Sequence, residues 1–325
     1  MQKVKVAIFG TGKMANIMAE AMQKNEKFEV VAIASRSKEK ACEFAKKFRL
    51  KKAYASYKDA LSNEEISLVY IATPHAFHFE NAKECLLAGK NVLCEKSLTV
   101  NAKQAERLFS LAKEKNLFLC EAMWTRFLPA TTTVQKLLKD GIIGKPKFLS
   151  ASISYNCMNI ERMTNPNLAG GALLDCGIYA LTSAVLLFGE EISDINTTAV
   201  LSQEGVDLHS TTILTYKDEK TATLLIAMDG CFENKILVSG DKGYLEINVP
   251  FNWQKIKIHT SDGQTIAVDL PLQTANGYEY MLDAVCTSVL NGQTYCEQAS
   301  PDKTMFILKL MDTLREKWGM KYPFE

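Results

Sequence analysis

Gly10-Thr11-Gly12-Lys13-Met14-Ala15 stands directly after a short apolar run, Val4 to Phe9, and opens a helical pattern, giving the spacing G-x-G-x-x-A. In that context Gly10 permits a tight turn, Gly12 lets a pyrophosphate approach the backbone, and Ala15 keeps helix and strand close. Amides at a helix N-terminus bind phosphate, so Thr11, Lys13 and Met14 join the two glycines as expected contacts of a dinucleotide. About 20 residues further on, an NAD site usually presents an Asp or Glu to the ribose. Here the second apolar run ends Ala34-Ser35-Arg36-Ser37, a guanidinium between two hydroxyls. That set suits a 2'-phosphate better than a bare ribose, so the expected cofactor is NADP, with NAD the lesser alternative. The competing readings are a glycine turn that serves packing, a solvated Arg36, and Ser37 as a helix N-cap.

The other candidates sit where the third and fourth apolar runs end: Ala72-Thr73-Pro74-His75-Ala76-Phe77-His78 and Cys94-Glu95-Lys96-Ser97. Open α/β sheets bind ligands at the carboxyl ends of their strands. Thr73, Pro74, His78, Glu95 and Lys96 are therefore expected to line the nicotinamide side of the cleft.

Positioning these residues requires alternating strands and helices, and the first third of the chain has that pattern. Val4 to Phe9, Val30 to Ala34, Leu68 to Ala72, Val92 to Cys94 and Leu117 to Cys120 read as buried strands. Between them Lys13 to Lys24, Ser37 to Phe48, Phe77 to Ala88 and Ala102 to Lys115 carry apolar residues at spacings of three and four. The expectation is an α/β doubly wound parallel sheet over residues 1–122. From Phe148 to His259 consecutive strands follow, separated by turn signals, with one long apolar helix from Leu173 to Phe188. Residues 123–325 are thus expected to form an α+β domain with a large, mostly antiparallel sheet, ending in helices near Tyr278 to Leu290 and Asp302 to Trp318.

Composition removes several classes. The 325 residues are 47% hydrophobic and 23% charged, as folded globular chains are. Thirty-eight Lys and Arg against thirty-seven Asp and Glu leave a charge of +1, too little for the positive field that nucleic acid demands. The nine cysteines show no C-x-x-C pair, which fits buried thiols rather than disulfides or zinc, and the histidines show no ligand spacing, so no metal is expected. No apolar run is expected to reach the length of a membrane span, and no signal-peptide pattern is read at Met1, so a cytoplasmic protein without a membrane partner is expected.

The landmarks together resemble the Gfo/Idh/MocA family of sugar and polyol oxidoreductases, which share the early glycine turn, a T-P-x-x-x-H segment and an E-K-P segment. Glu121-Ala122-Met123-Trp124-Thr125-Arg126-Phe127 and Gly170-Gly171-Ala172-Leu173-Leu174-Asp175-Cys176-Gly177-Ile178-Tyr179 are most similar to the dihydrodiol and xylose dehydrogenase branch.

The resemblance implies hydride transfer between nicotinamide and a sugar, polyol or vicinal diol, with a side chain to exchange the proton. Tyr179 falls where other branches place a histidine, four residues after Asp175. A phenol with an ordinary pKa of about 10 needs help near neutrality, which the Lys96 ammonium would supply by favouring the phenolate. Asp175 would orient the pair, and Trp124, Arg126 and Asn156 would contact substrate. Ser97 departs from the family's proline, which changes the backbone constraint beside Lys96. Two alternatives stand beside this reading: a non-catalytic, NADP-binding sensor, which has no need of Lys96 and Tyr179, and an inositol or amino-sugar dehydrogenase, whose branches favour a histidine at position 179. A homodimer or higher homo-oligomer through the second-domain sheet is the implied assembly.

Overall fold

The computed structural model describes residues 3–325. Its first sheet is parallel, with strands β1 (Val4–Phe9), β2 (Phe28–Ala34), β3 (Lys52–Tyr54), β4 (Leu68–Ile71), β5 (Asn91–Cys94) and β6 (Leu119–Glu121) in the order β3-β2-β1-β4-β5-β6. The order reverses beside β1, so the chain leaves β1 and β4 in opposite directions and opens a crevice at their carboxyl ends. Helices α1 (Lys13–Lys24), α2 (Lys38–Phe48), α3 (Tyr57–Leu61), α4 (His78–Leu87) and α5 (Ala102–Glu114) provide the crossovers. Covered on both faces, Val6 to Phe9 and Leu68 to Ile71 are completely buried, which is why they read as unbroken apolar runs.

After α6 (Pro129–Lys139), begun by a proline at its first position, the second sheet comprises β7 (Pro146–Ser154), β8 (Ile192–Leu201), β9 (Asp207–Tyr216), β10 (Thr221–Ala227), β11 (Lys235–Gly240), β12 (Gly243–Asn248), β13 (Lys255–Thr260) and β14 (Thr265–Asp269). Their order is β14-β13-β12-β11-β7-β10-β9-β8. All neighbours are antiparallel except β7 and β10. Alternation marks the inner face: Ser210, Thr212, Leu214 and Tyr216 of β9 are buried while His209 and Ile213 are exposed. Between β7 and β8 lie the short α7 (Glu161–Thr164), a π-helical turn over Leu173–Gly177 and α8 (Ile178–Phe188). The turn and α8 pack on β7 and β10. Gly177 makes that approach possible, since a Cβ there would come within 2.9 Å of the Ile226 and Leu173 side chains. α9 (Tyr278–Leu290) and α10 (Pro301–Lys317) follow.

Two compact units result, and they are interleaved along the chain. Where the sequence reading divides the chain at residue 122, the first unit runs through Phe127 and also takes in Gln273–Met305. The second comprises Leu128–Leu272 and Phe306–Glu325. The physical reason lies in α9, which packs on α1 and β1, while Tyr278 stacks on Trp124 with ring centroids 4.5 Å apart. Leu119 N–H donates to the Thr294 carbonyl (2.9 Å), so this late segment pairs with β6 at the sheet edge.

Two expectations need correction. β3, α3 and β14 were not foreseen, because each is short and largely exposed and so carries no apolar periodicity. The expectation that no segment reaches the length and apolarity of a membrane span also fails. Pro166–Phe188 meets both criteria, although most of it is buried within the chain, as in a core helix.

Candidate active site

At the end of β1, Gly10 adopts φ +100°, and a Cβ there would lie 2.6 Å from the Ala72 carbonyl oxygen at the end of β4. Only glycine lets these strand ends approach so closely. Gly12 is the opposite case: it is exposed, with no heavy atom within 4 Å of where a Cβ would stand. It is the N-cap of α1 and gives no side-chain cap, so the amides of the first turn are left for another acceptor. Thr11, Lys13 and Met14 surround that turn at the surface, whereas Ala15 is fully buried against the sheet. An open glycine, uncapped amides and a closely packed alanine fit a dinucleotide pyrophosphate.

Arg36, at the end of β2, is exposed, and its guanidinium lies over the Phe77 ring, 4.7 Å from the centroid. Ser35 Oγ accepts from Ser37 N–H (3.2 Å), and Ser37 Oγ caps α2 by accepting from Lys40 N–H (3.3 Å). Each hydroxyl keeps its own proton to donate, so capping and phosphate binding are compatible. Phe9, Arg36, Tyr57, Lys58 and Asn81 help to line a cavity of about 420 Å³ beside them. Burial raises the Tyr57 phenol above its ordinary pKa, against the lowering effect of Arg36.

The loops after β4 and β5 are tied together by two histidines. His75 Nε2 lies 3.1 Å from the Lys96 carbonyl oxygen. His78 is wholly buried, with Nδ1 2.7 Å from the Ser97 carbonyl oxygen and Nε2 2.7 Å from that of Thr73. Both ring nitrogens thus face backbone, and His78 braces the two loops, which fits the structural one of the two roles, structural or cofactor-adjacent, that its place in the sequence leaves open. Asn81 Nδ2 donates to Thr73 Oγ1 (3.1 Å), and Pro74 begins the His75–Phe77 turn. Glu95 is buried as well, its Oε1 accepting from Tyr70 OH (2.5 Å). Lys96 is half-buried, and the Lys96-Ser97 peptide bond is cis.

Glu121 anchors the same loop from β6. Its carboxylate is buried and accepts from Leu98 N–H (2.9 Å) and Thr304 Oγ1 (3.1 Å). Burial raises its pKa, against those hydrogen bonds and the charges of Arg126 and Lys96. Trp124 and Arg126 are buried as well. One face of Trp124 is covered by Tyr278, and Arg126 Nη2 donates to the Lys303 carbonyl (3.4 Å). Trp124 and Arg126, two of the three residues expected at substrate, thus also pack within their own unit.

In the second unit, Asp175 sits in the π-helical turn and Tyr179 in the first turn of α8. The spacing of four residues therefore crosses a wider helical turn than the regular helix expected. Asp175 receives a bidentate pair from Arg162, Nη1 to Oδ1 at 3.3 Å and Nη2 to Oδ2 at 3.1 Å. Tyr179 meets Phe251 edge to face at 5.9 Å, and Phe251 also contacts Tyr155. Asn156 is exposed, its Oδ1 accepting from Met158 N–H (3.4 Å). Sequence reasoning missed the partners Arg162, Phe251 and Tyr278, which no motif marks, because each partner is distant in sequence or lies in an irregular loop. Phe77 lies within the T-P-x-x-x-H segment, but nothing in the spacing pairs it with Arg36.

Comparisons with known proteins bear out the fold that carries these residues. The model of the oxidoreductase family with an NAD-binding Rossmann fold, GFO_IDH_MocA, matches residues 4–122, and that of the GFO/IDH/MocA C-terminal domain matches residues 131–246. The chain is 31% identical to trans-1,2-dihydrobenzene-1,2-diol dehydrogenase of Xenopus tropicalis, over 98% of this chain and 99% of that one. It is 30% identical to the D-xylose 1-dehydrogenase (NADP(+)) of Hypocrea jecorina, over 98% and 93% of the two chains. A solved structure of KijD10, a 3-ketoreductase from Actinomadura kijaniata in complex with NADP and TDP-benzene, superposes with a TM-score of 0.90 at 27% identity, covering 97% of this chain and 98% of the other. With both halves matched and the likeness running nearly end to end, the chain belongs to the Gfo/Idh/MocA oxidoreductase family.

Proposed function

We propose that this protein is an NADP(H)-dependent oxidoreductase that interconverts a secondary alcohol or cyclic hemiacetal of a sugar, polyol or vicinal diol with the corresponding ketone or lactone. The observation that carries the cofactor is the glycine turn with uncapped helix amides, followed at the end of β2 by Arg36 between two hydroxyls instead of a carboxylate. The relatives support the substrate class, since one is named for a dihydrodiol and one for xylose with NADP(+).

Within this reading Thr11, Gly12, Lys13 and Met14 bind the pyrophosphate, and Ser35, Arg36 and Ser37 bind the 2'-phosphate. The loops at Thr73-Pro74 and Glu95-Lys96 hold the nicotinamide, which when bound supplies or accepts the hydride. Tyr179 gives its proton to the developing alkoxide in reduction and takes it back in oxidation. Lys96 favours the phenolate by its charge, and Asp175, held by Arg162, fixes the local geometry. Structures of a Tyr→Phe and a Lys→Ala variant of the 3-ketoreductase lend support to a tyrosine and a lysine as the pair to test. His78, with both ring nitrogens on backbone, acts as a brace.

The proposed setting is cytoplasmic. A homodimer is the proposed assembly, built on the open face of the second sheet, where Phe148, Ile213 and Leu225 are exposed beside a row of threonines. Fluorescence titration of NADPH and NADH, followed by turnover on a panel of aldoses, dihydrodiols, dicarbonyls and polyols, tests the whole reading. Preference for NADPH and turnover of a panel member are expected; cofactor binding with no turnover of any panel member would leave a sensor instead.

A further inference from the structure

The Gly170-Gly171 pair before the π-helical turn is explained by a residue far away in sequence. Asp207 begins β9 and is completely buried. Its Oδ2 accepts a short hydrogen bond, 2.6 Å, from Leu173 N–H at the start of that turn. Its Oδ1 makes no hydrogen bond and lies against Gly171, where a Cβ would stand only 2.0 Å from it. Gly171 also has φ +115°, a conformation open to glycine. Gly170 is pressed from the other side: a Cβ there would meet the Met163 carbonyl oxygen at 2.3 Å, and its own carbonyl accepts from the buried Tyr322 OH (2.8 Å). Gly171 N–H donates to Met163 O (2.8 Å). The two glycines therefore admit a carboxylate beneath the turn that bears Asp175 and leads to Tyr179.

We propose that Asp207 is a positioning residue: its carboxylate anchors the amide end of the Leu173–Gly177 turn and so sets the direction in which Asp175 and Tyr179 are presented. This rests on the catalytic role proposed above for Tyr179. A fully buried carboxylate is a costly choice of anchor when a serine or asparagine can cap a turn. What the charge adds is strength, since an ionised acceptor binds an amide about twice as well as a neutral one. It also adds a dependence on pH. Burial pushes the Asp207 carboxyl up to about 7, against the lowering effects of the Leu173, Asp207 and Ala172 amides and of the Arg315 charge. The ionisable groups near it are Arg315 of α10, already paired with Asp312 and Glu325, and the phenol of Tyr322, held neutral by burial. Near neutrality the anchor therefore changes strength, and the reactive turn with it.

The experiment has one arm with turnover and one without. Steady-state kcat and KM are measured from about pH 5.5 to 9 for the wild type and Asp207→Asn, which keeps the shape and removes the charge. The wild type is expected to show kcat rising through an ionisation near neutrality. In Asp207→Asn that limb disappears and kcat at high pH falls about tenfold, with KM for NADPH unchanged. An unchanged limb and an unchanged kcat in the variant would overturn the proposal. The second arm uses 15N-labelled wild type with no substrate. The Leu173 amide proton is expected to titrate with the carboxyl, and an amide that stays fixed across that range overturns the anchor even if the variant does not fold. A wild type that binds cofactor but turns over nothing refutes the proposed function, while the amide titration still decides the anchor.

Discussion

The strand-end loops of the first unit and the glycine turn of the second each hold in place a side chain for which a catalytic role is proposed, and they do it with different chemistry. Around Lys96 the bracing is imidazole on backbone carbonyls, from His75 and His78, with Glu121 and Thr304 closing the far side. Around Asp175 and Tyr179 it is carboxylate on backbone amides from below, and guanidinium on carboxylate from the surface. The first arrangement leaves His78 with a partner at each ring nitrogen. The second leaves an oxygen of Asp207 without one. A ring wedged between two backbone carbonyls holds its loops at a fixed separation, whereas a buried carboxylate can take up a proton and change its hold on an amide. The difference teaches that one chain can hold one side chain in a fixed loop and another in an adjustable turn.

Experiments can break or sharpen this contrast. The largest effect is expected for Tyr179→Phe, with kcat lower by about 100- to 10,000-fold and NADPH binding unchanged; a variant with near wild-type kcat moves the proton exchange to another residue. Next comes pH and stability. Asp207 ionises near 4 when unfolded and about 7 when folded, so between these values the folded protein holds the extra proton and loses stability as pH rises. The loss is on the order of 4 kcal/mol, complete above pH 7, and Asp207→Asn is expected to flatten it; parallel denaturation curves for the two proteins across that range would contradict the contrast. His78→Leu, which removes the polar ring from between the Ser97 and Thr73 carbonyls, should cost about 3 kcal/mol in urea unfolding and lower kcat through Lys96.

Smaller effects follow at the surface. Arg36→Ala should weaken NADPH about 10- to 100-fold and leave NADH nearly untouched, by fluorescence titration. If both cofactors weaken equally, the guanidinium serves the adenine side rather than the phosphate. Arg162→Leu is expected to cost only about 0.2–1 kcal/mol of stability, because that side chain is 44% exposed and its pair is screened by solvent. A loss of several kcal/mol there would make the surface pair, and not Asp207, the main support of the turn.

Much of the fold was legible because its strands are either buried on both faces or alternate strictly. The run at Leu68 is apolar throughout and that at Val4 is broken only by Lys5, while Thr221 to Ala227 largely alternates. β3, with its lysine, alanine and tyrosine at an exposed edge, carries neither signal. In the site, residues on a local motif were legible: Gly10 and Gly12 by spacing, Arg36 by its place after a strand. Roles that depend on facing were not. Glu95 and Glu121 turn inward, and Trp124 is covered by a tyrosine more than 150 residues later. Asp207 was illegible altogether, since nothing local at the start of a strand reveals that a glycine pair will close over its carboxylate.

The interleaving of the first unit bears on the order in which the protein is made. Trp124, β6 and α1 are finished early, yet the segment that packs on them begins at Gln273, after the whole of Leu128–Leu272 has been synthesised. At about 5–20 residues per second, the nascent chain waits roughly 10–30 s with that apolar surface uncovered. A ribosome that stalls within Leu128–Leu272 would thus leave an incomplete nucleotide-binding fold exposed to chaperones, because the part made first is completed only once Gln273–Met305 has been synthesised.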